Sequence, residues 1–266
     1  IRELRGNIRV VARVRPAGAG SSAQAARAKG AGDEDDVRAL HVTDSYTCQL
    51  AQESQSVAGT SPDLRRYEFD ACLGEESTQD DVYAEVGDVV QSALDGYKVC
   101  VFAYGQTGSG KTFTMVGTDG QPGLLPRCAK QLFTGGDTAG RVTVRVHVLE
   151  LYQDTLVDLL CASPGSGKGP NVRRDAATGD VSVEGAEAVT ASDADTLLGV
   201  CRDAFKRRAT ASTKMNSESS RSHLLLMFQT EHVAHNTGTR SRGKLTLVDL
   251  AGSERVKKSG AEGKLL

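Results

Sequence analysis

Lys111 and Thr112 close the run Gly105-Gln106-Thr107-Gly108-Ser109-Gly110, a G-x-x-x-x-G-K-T spacing that suits a polyphosphate. Glycines without a Cβ let backbone N–H groups converge on phosphate oxygens. The Lys111 ammonium reaches β- and γ-phosphates, and the Thr112 hydroxyl is a hard oxygen donor for Mg²⁺. A second set, Asp249, Gly252 and Glu254, lies in LTLVDLAGSE (245–254). Asp249 ends an apolar run, the place from which a carboxylate holds Mg²⁺ directly or through water. Gly252 leaves room for a backbone N–H to approach a γ-phosphate. An apolar strand ending in aspartate is common, and this one takes its meaning from the phosphate loop. The third set is NSESSRSH (216–223), a run that also suits an ordinary polar loop rich in N-cap residues. As a sensor loop it offers Ser219 or Ser220 to Mg²⁺ or the γ-phosphate. Arg221 is then free to pair with Glu254 once both loops close over a triphosphate. The chemistry these residues share is the binding of a nucleoside triphosphate.

The elements that must position them are legible in the same way. Val99 to Ala103 is an apolar strand leading into the glycine turn, and Lys111 opens a helix whose N-terminus adds roughly half a positive charge. Val82, Val86, Val89, Ala93 and Leu94 recur at helical spacing between Ser77 and Tyr97, with Ser77 or Thr78 as cap. Arg141 to Leu151 alternates strictly, with Val142, Val144, Val146 and Val148 on one face. Leu125 to Phe133 and Ser192 to Ala211 read as helices, the second with Leu197, Leu198, Cys201 and Phe205 inward. Leu224 to Val233 and Lys244 to Val248 read as strands, and Val172 to Val189 as a hairpin turning at Thr178-Gly179-Asp180. Ile8 to Val14 is a strand stopped near Pro16, which lacks an N–H. Residues 37–42, 47–50 and 66–69 form a β-rich stretch. The low-complexity run 17–36 is a loop, as is 162–170, whose GSGK lacks the first glycine and the hydroxyl residue after lysine. Strands alternating with helices around a P-loop predict an α/β fold, a central mixed sheet with helices on both faces.

Composition narrows the classes. The chain has 266 residues, 39% apolar and 25% charged, enough for one core that buries about 70–75% of the unfolded surface. A formal charge of −2 and a pI near 6.3 give no electrostatic case for nucleic acid. The six cysteines, at 48, 72, 100, 128, 161 and 201, are scattered without a C-x-x-C pair, and Cys100 and Cys201 read as core thiols in a reducing compartment. No apolar run approaches the ~20 residues of a membrane span, and no signal peptide is present. The expectation is a cytoplasmic protein. His232 and His235 share a metal-like spacing but belong to a polar loop. Lys206, Arg207 and Arg208 are expected to serve the helix dipole and solubility.

Taken together the motifs resemble the kinesin motor domain. The resemblance rests on RVRP (13–16), FAYGQTGSGKT (102–112), ELYQDTLVDLL (150–160), NSESSRSH (216–223) and LVDLAGSER (247–255), which fall in the family's order across essentially the whole chain. Leu4-Arg5-Gly6-Asn7 before the first strand looks like the neck–head junction of the C-terminal-motor, minus-end-directed class, with residues 1–6 as the end of the neck and 7–266 as the motor domain. ELYQDTLVDLL and GSERVKKSG look most like the kinesin-like calmodulin-binding protein.

The resemblance implies ATP/ADP with Mg²⁺ as ligands. Arg13, Arg15 and Pro16 would flank adenine and ribose, with Phe113 as the other stacking face. Thr112 and Ser220 would meet Mg²⁺ with Asp249 behind it, and Ser219 would line the phosphates. Asn216 would steady the closed first switch loop, Gly252 would read the γ-phosphate, and Arg221–Glu254 would latch the two switches. Glu254 would also accept the proton of the attacking water through a relay. The implied activity is a microtubule-stimulated ATPase that moves along microtubules in the cytoplasm, its parent protein a dimer. Lys257, Lys258 and Lys264, and more weakly Arg173 and Arg174, would face acidic tubulin. The chain stops inside the loop after the second switch, before the family's main tubulin-binding helix. One apolar sheet face is therefore expected to lack its cover, and any calmodulin-binding segment lies outside the chain. Two other readings fit the residues less well. A non-motile microtubule-binding head does not need every phosphate-site position filled, and a GTPase would show an N-K-x-D signature.

Overall fold

The computed structural model describes residues 8–16, 40–56, 59–134, 140–161, 169–177, 179–214, 221–235 and 237–254. The chain forms two compact units, Ile1–Glu85 and Val86–Leu266. The first holds β1 (Val11–Arg13), the antiparallel meander β2 (Leu40–Asp44), β3 (Thr47–Ser56) and β4 (Gly59–Glu68), then β5 (Ala71–Leu73) and helix α1 (Gln79–Ala84). β1 runs parallel to β5, with Val11 opposite Ala71. The strand expected over 8–14 is only three residues long because the Val10 N–H goes to the Asp70 carboxylate, at 2.7 Å, and not to a ladder carbonyl. Thr78 caps α1 as expected. Its hydroxyl accepts the Asp81 N–H at 3.2 Å, and the Asp81 carboxylate accepts the Thr78 N–H at 2.8 Å. The Thr78 N–H bond, and then the Thr78 hydroxyl donating to the same carboxylate oxygen at 2.7 Å, hold Asp81 below the usual carboxylate range. The single helix expected over 77–97 is broken after Ala84, next to Gly87, a residue about 1 kcal/mol poorer than alanine inside a helix.

The second unit contains α2 (Gly87–Leu94), β6 (Lys98–Ala103), α3 (Lys111–Met115), a short ladder of β7 (Gly117–Thr118) and β8 (Gln121–Pro122), and α4 (Leu124–Thr134). The long strand β9 (Gly140–Tyr152) follows, then β10 (Thr155–Asp158), the hairpin β11 (Asn171–Arg174) and β12 (Val181–Glu184), β13 (Val189–Ala191), α5 (Ala194–Lys214), β14 (His223–Ala234) and β15 (Arg240–Asp249). The main sheet has the order β10-β9-β14-β15-β6, with β13 also on β9. β15 pairs with β6 in parallel and the other pairings are antiparallel. The sheet is therefore mixed and flanked by helices, as the sequence predicts.

Its core follows from alternation. Val144, Val146 and Val148 are fully buried, as are Phe228, Leu245 and Leu247 on the neighbouring strands. Val90, Leu132, Cys128, Leu197 and Cys201 of α2, α4 and α5 are buried with them, each large aliphatic side chain worth roughly 1.5–3 kcal/mol. Burial pushes the Cys128 and Cys201 thiols up to about 12. All six cysteines are free, and Cys100 is exposed, which corrects its expected place in the core. β6 alternates, so Val99, Val101 and Ala103 turn inward while Cys100 and the 58% exposed Phe102 turn to the other face. Among the described residues no helix is long and apolar enough to cross a membrane.

Candidate functional site

Strand direction gathers the three predicted loops at one edge of the main sheet. β6 and β15 are parallel with Asp249 beside Ala103, so the chain leaves both strands at the same edge, as 104–110 and 250–254. β14 is antiparallel to β15 with Leu224 opposite Asp249, which brings its start, Arg221 to His223, to that edge as well. Backbone groups tie the segments together. Leu250 N–H donates to Ala103 O at 3.3 Å and Ser253 N–H to Gly105 O at 3.1 Å. Ala251 N–H donates to His223 Nδ1 at 2.9 Å, a role for His223 that the sequence did not announce.

The phosphate loop has the expected form. Gly110 adopts φ +100°, in the left-handed region, directly before α3, a conformation that glycine takes without steric cost. Thr114 N–H then donates to Gly110 O at 2.8 Å and the helix begins. Ser109 N–H donates to Gln106 O at 3.1 Å, which rounds the loop. Lys111 Nζ donates to Gly105 O at 2.8 Å and Gln106 O at 3.0 Å, so its charge is fixed over the loop. α3 has only five residues, too few to build the full macrodipole. The positive field of the loop therefore rests on Lys111 and the backbone amides.

Thr112 and Asp249 meet as a metal site requires. Thr112 Oγ1 donates to Asp249 Oδ2 at 2.5 Å. Asp249 Oδ1 is buried and has no partner among the described residues, a costly condition for a carboxylate oxygen. A hydroxyl and a carboxylate at one point are the oxygen donors Mg²⁺ takes beside substrate phosphates, so these residues fit that ion. Among the described residues no group of three or more His, Cys, Asp or Glu side chains that could hold a metal ion is found. His232 lies within β14, opposite Val142 and Ser241, which corrects its expected place in a polar loop, and His235 follows the strand. Asn216, Ser219 and Ser220 lie outside the described residues.

Glu254 turns to the phosphate loop. Its carboxylate accepts the Thr107 N–H at 2.9 Å and a short hydrogen bond from the Thr107 hydroxyl. The hydroxyl bond first, then the amide bond, hold Glu254 below the usual carboxylate range, and the Lys111 charge adds to them. A Cβ at Gly252 would strike both the Glu254 carboxylate and Thr107 Oγ1, so any larger residue there must displace the Glu254–Thr107 contact. Arg221 is exposed and makes no ion pair among the described residues. The expected Arg221–Glu254 pair is thus not formed in this structure.

Glu150, Arg208 and Ser222, to which the sequence reading gave no part in the site, support it. Arg208 Nε lies 2.7 Å from Glu150 Oε1, with side chains 15% and 16% exposed. Ser222 Oγ donates to the same oxygen at 2.6 Å, and Arg208 Nη2 donates to Ser222 Oγ at 2.9 Å. The trio anchors the residue between Arg221 and β14 to β9 and α5. Arg207 donates to the Leu159 and Leu160 carbonyls at 3.0 and 2.6 Å. Arg207 and Arg208 are therefore structural clamps, which corrects the solubility role expected of them. The signal available was Glu150, the one acidic residue of β9, set between Leu149 and Leu151. Glu150→Ala should destabilise the fold by about 3 kcal/mol, because it strands the Arg208 charge. Arg173→Ala, which breaks an exposed pair with Glu184, should cost no more than about 0.5 kcal/mol. Urea unfolding of both variants checks the contrast.

The remaining predicted residues are placed as follows. In the first unit, Arg13 donates to Gln79 Oε1 at 2.9 Å and to Ser77 O at 3.5 Å, and burial lowers its pKa. Arg15 and Pro16 are exposed, and Phe113 in α3 is half-buried. Arg173 and Arg174 are exposed on β11. Lys257, Lys258, Lys264, the 1–6 segment and the GSGK run lie outside the described residues.

The comparisons with known proteins agree with this geometry. A family model described as the kinesin motor domain matches residues 13–266. Kinesin-like protein KIN-14I of Oryza sativa subsp. japonica is 38% identical over 269 residues, covering 100% of this chain and 20% of that protein. Kinesin-like protein KIN-14E of Arabidopsis thaliana is 37% identical over 266 residues, covering 99% of this chain and 20% of that protein. This chain thus spans about a fifth of the length of these curated relatives. A solved structure of the C-terminal motor and motor homology domain of Kar3Vik1, fused to a synthetic heterodimeric coiled coil, superposes with a TM-score of 0.78 at 32% identity, covering 98% of this chain and 65% of that one. With its phosphate loop, Asp249 and the described ends of the two switch motifs, Arg221 to His223 and Leu250 to Glu254, at one sheet edge, and with relatives of the kinesin-14 group, this chain belongs to the kinesin motor domain family.

Proposed function

We propose that this chain is the head of a microtubule-stimulated ATPase that hydrolyses ATP to ADP and moves along microtubules, toward the minus end. Kinesin motor domains bind nucleotide with Mg²⁺ and are ATPases as a class. The observation that carries the reading is the meeting of Lys111, Thr112–Asp249 and Thr107–Glu254 around one phosphate loop. Lys111 and the loop amides bind the β- and γ-phosphates. Thr112 and Asp249, with Ser220, hold Mg²⁺, which neutralises charge on the phosphates. Gly252 presents its N–H to the γ-phosphate, Glu254 takes the proton of the attacking water, and Arg221 pairs with Glu254 when the loops close. The family resemblance assigns Arg13, Arg15, Pro16 and Phe113 to the base and ribose. Positioning and charge neutralisation supply most of the catalysis in such a site.

Minus-end direction is supported by the Gly6-Asn7 junction and the KIN-14 relatives. Lys257, Lys258 and Lys264, with Arg173 and Arg174, are assigned to acidic tubulin, and the parent protein to a dimer on cytoplasmic microtubules. A calmodulin-binding segment is assigned outside these residues, on the subgroup resemblance, and calcium-dependent retention of the full-length protein on immobilised calmodulin tests it. The motor reading is tested by co-sedimentation and gliding. The full-length protein should pellet with microtubules in AMPPNP, be released by ATP, and drive polarity-marked filaments with their plus ends leading. Binding indifferent to nucleotide would support a static anchor instead.

A further inference from the structure

Glu254, Thr107 and Gly252 meet at one point of the phosphate loop. The Glu254 carboxylate engages both donors of Thr107, backbone N–H and hydroxyl. Gly252 lies so close that a Cβ on it would reach both partners. In the triphosphate reading, on which this inference rests, Gly252 meets the γ-phosphate. A negative carboxylate therefore stands beside the place of a negative phosphoryl group, on donors made for an anion. The acid cannot keep this position when a γ-phosphate arrives, because two anions would compete for the same donors. ADP has no group at that point and leaves the contact undisturbed.

We infer that Thr107 is a positioning residue for Glu254, holding the carboxylate on the phosphate loop in the absence of a γ-phosphate and releasing it when a triphosphate binds. Glu254 then has two successive partners, Thr107 in the open site and Arg221 in the closed one. Arg221, exposed and without an ion pair among the described residues, is available for the second. The Thr107 contact sets part of the preference between triphosphate and diphosphate, because only the triphosphate must displace it.

The test is a double-mutant cycle on nucleotide binding by the full-length protein, with AMPPNP and ADP as probes in the presence of Mg²⁺. Thr107→Val removes the hydroxyl at nearly constant shape and should tighten AMPPNP relative to ADP by about fivefold, a conservative share of a charge-assisted hydrogen bond. Thr107→Ser keeps the hydroxyl and should restore the wild-type ratio. In a Glu254→Ala background Thr107→Val should leave the ratio unchanged, since the group it acts through is gone. Equal weakening of both nucleotides by Thr107→Val would overturn the inference in favour of a purely structural threonine. Weaker AMPPNP alone, or the same effect persisting in Glu254→Ala, would overturn it in favour of a direct phosphate contact. Binding of neither nucleotide to the unmodified protein would remove the triphosphate reading and this inference with it.

Discussion

Lys111→Ala is expected to lower ATP turnover by at least ~100-fold and to weaken nucleotide binding. The lysine is held over the loop by the carbonyls of Gly105 and Gln106, so its charge is in place before the phosphates arrive. A preorganised donor costs no reorganisation at the moment of reaction, and removing one such group typically loses about 10²–10³ in rate. Two further circumstances enlarge the effect here. The five-residue α3 contributes little dipole to take over from the missing charge, and the carbonyls that held the ammonium are left to point into the loop. Steady-state phosphate release, beside binding of a fluorescent ADP, measures both consequences. Unchanged thermal unfolding of the variant would tie the loss to the site.

Glu254→Ala should reduce turnover by ~100-fold or more while leaving ADP binding nearly intact. A positioned proton acceptor contributes typically 10²–10⁴, and the same substitution removes the partner of Arg221. ADP binding survives because Lys111, the loop amides and Thr112 do not depend on Glu254. Single-turnover measurements separate the chemical step from binding. The acid limb has a definite sign. Hydrogen bonds from Thr107 hold the folded-state pKa of Glu254 below its unfolded value. The stabilisation they give is present above the unfolded value and is lost as pH falls through the lowered folded value. The kcat/KM for ATP, which reports the open site in which Thr107 still holds Glu254 ionised, should therefore stay flat from neutral pH down through the ordinary glutamate range. It should decline only in stronger acid.

Much of this was written in residue type and spacing. The phosphate loop could be read because glycines, lysine and threonine at fixed intervals serve one purpose. The strand from Gly140 to Tyr152 could be read because its valines alternate, and three of them are fully buried. The break after Ala84 was hidden, since Val82, Val86 and Val89 keep helical spacing across it and local periodicity does not report a lapse in the backbone ladder. Cys100 was misplaced for a related reason. Its strand is apolar on both faces, and which face is covered depends on tertiary partners. The Glu150–Arg208–Ser222 cluster joins residues 58 and 72 positions apart, a separation that no local pattern encodes. The partner of Glu254 was equally beyond the sequence. Charge alone points from Glu254 to Arg221, whereas the fold places Thr107 at its carboxylate through the parallel register of β6 and β15.

ATP turnover by the full-length protein, measured with and without microtubules, tests the central claim most directly. Basal hydrolysis should be slow and should rise by an order of magnitude or more with microtubules, a rise abolished in Lys111→Ala. Nucleotide binding with a rate that microtubules leave unchanged would contradict it.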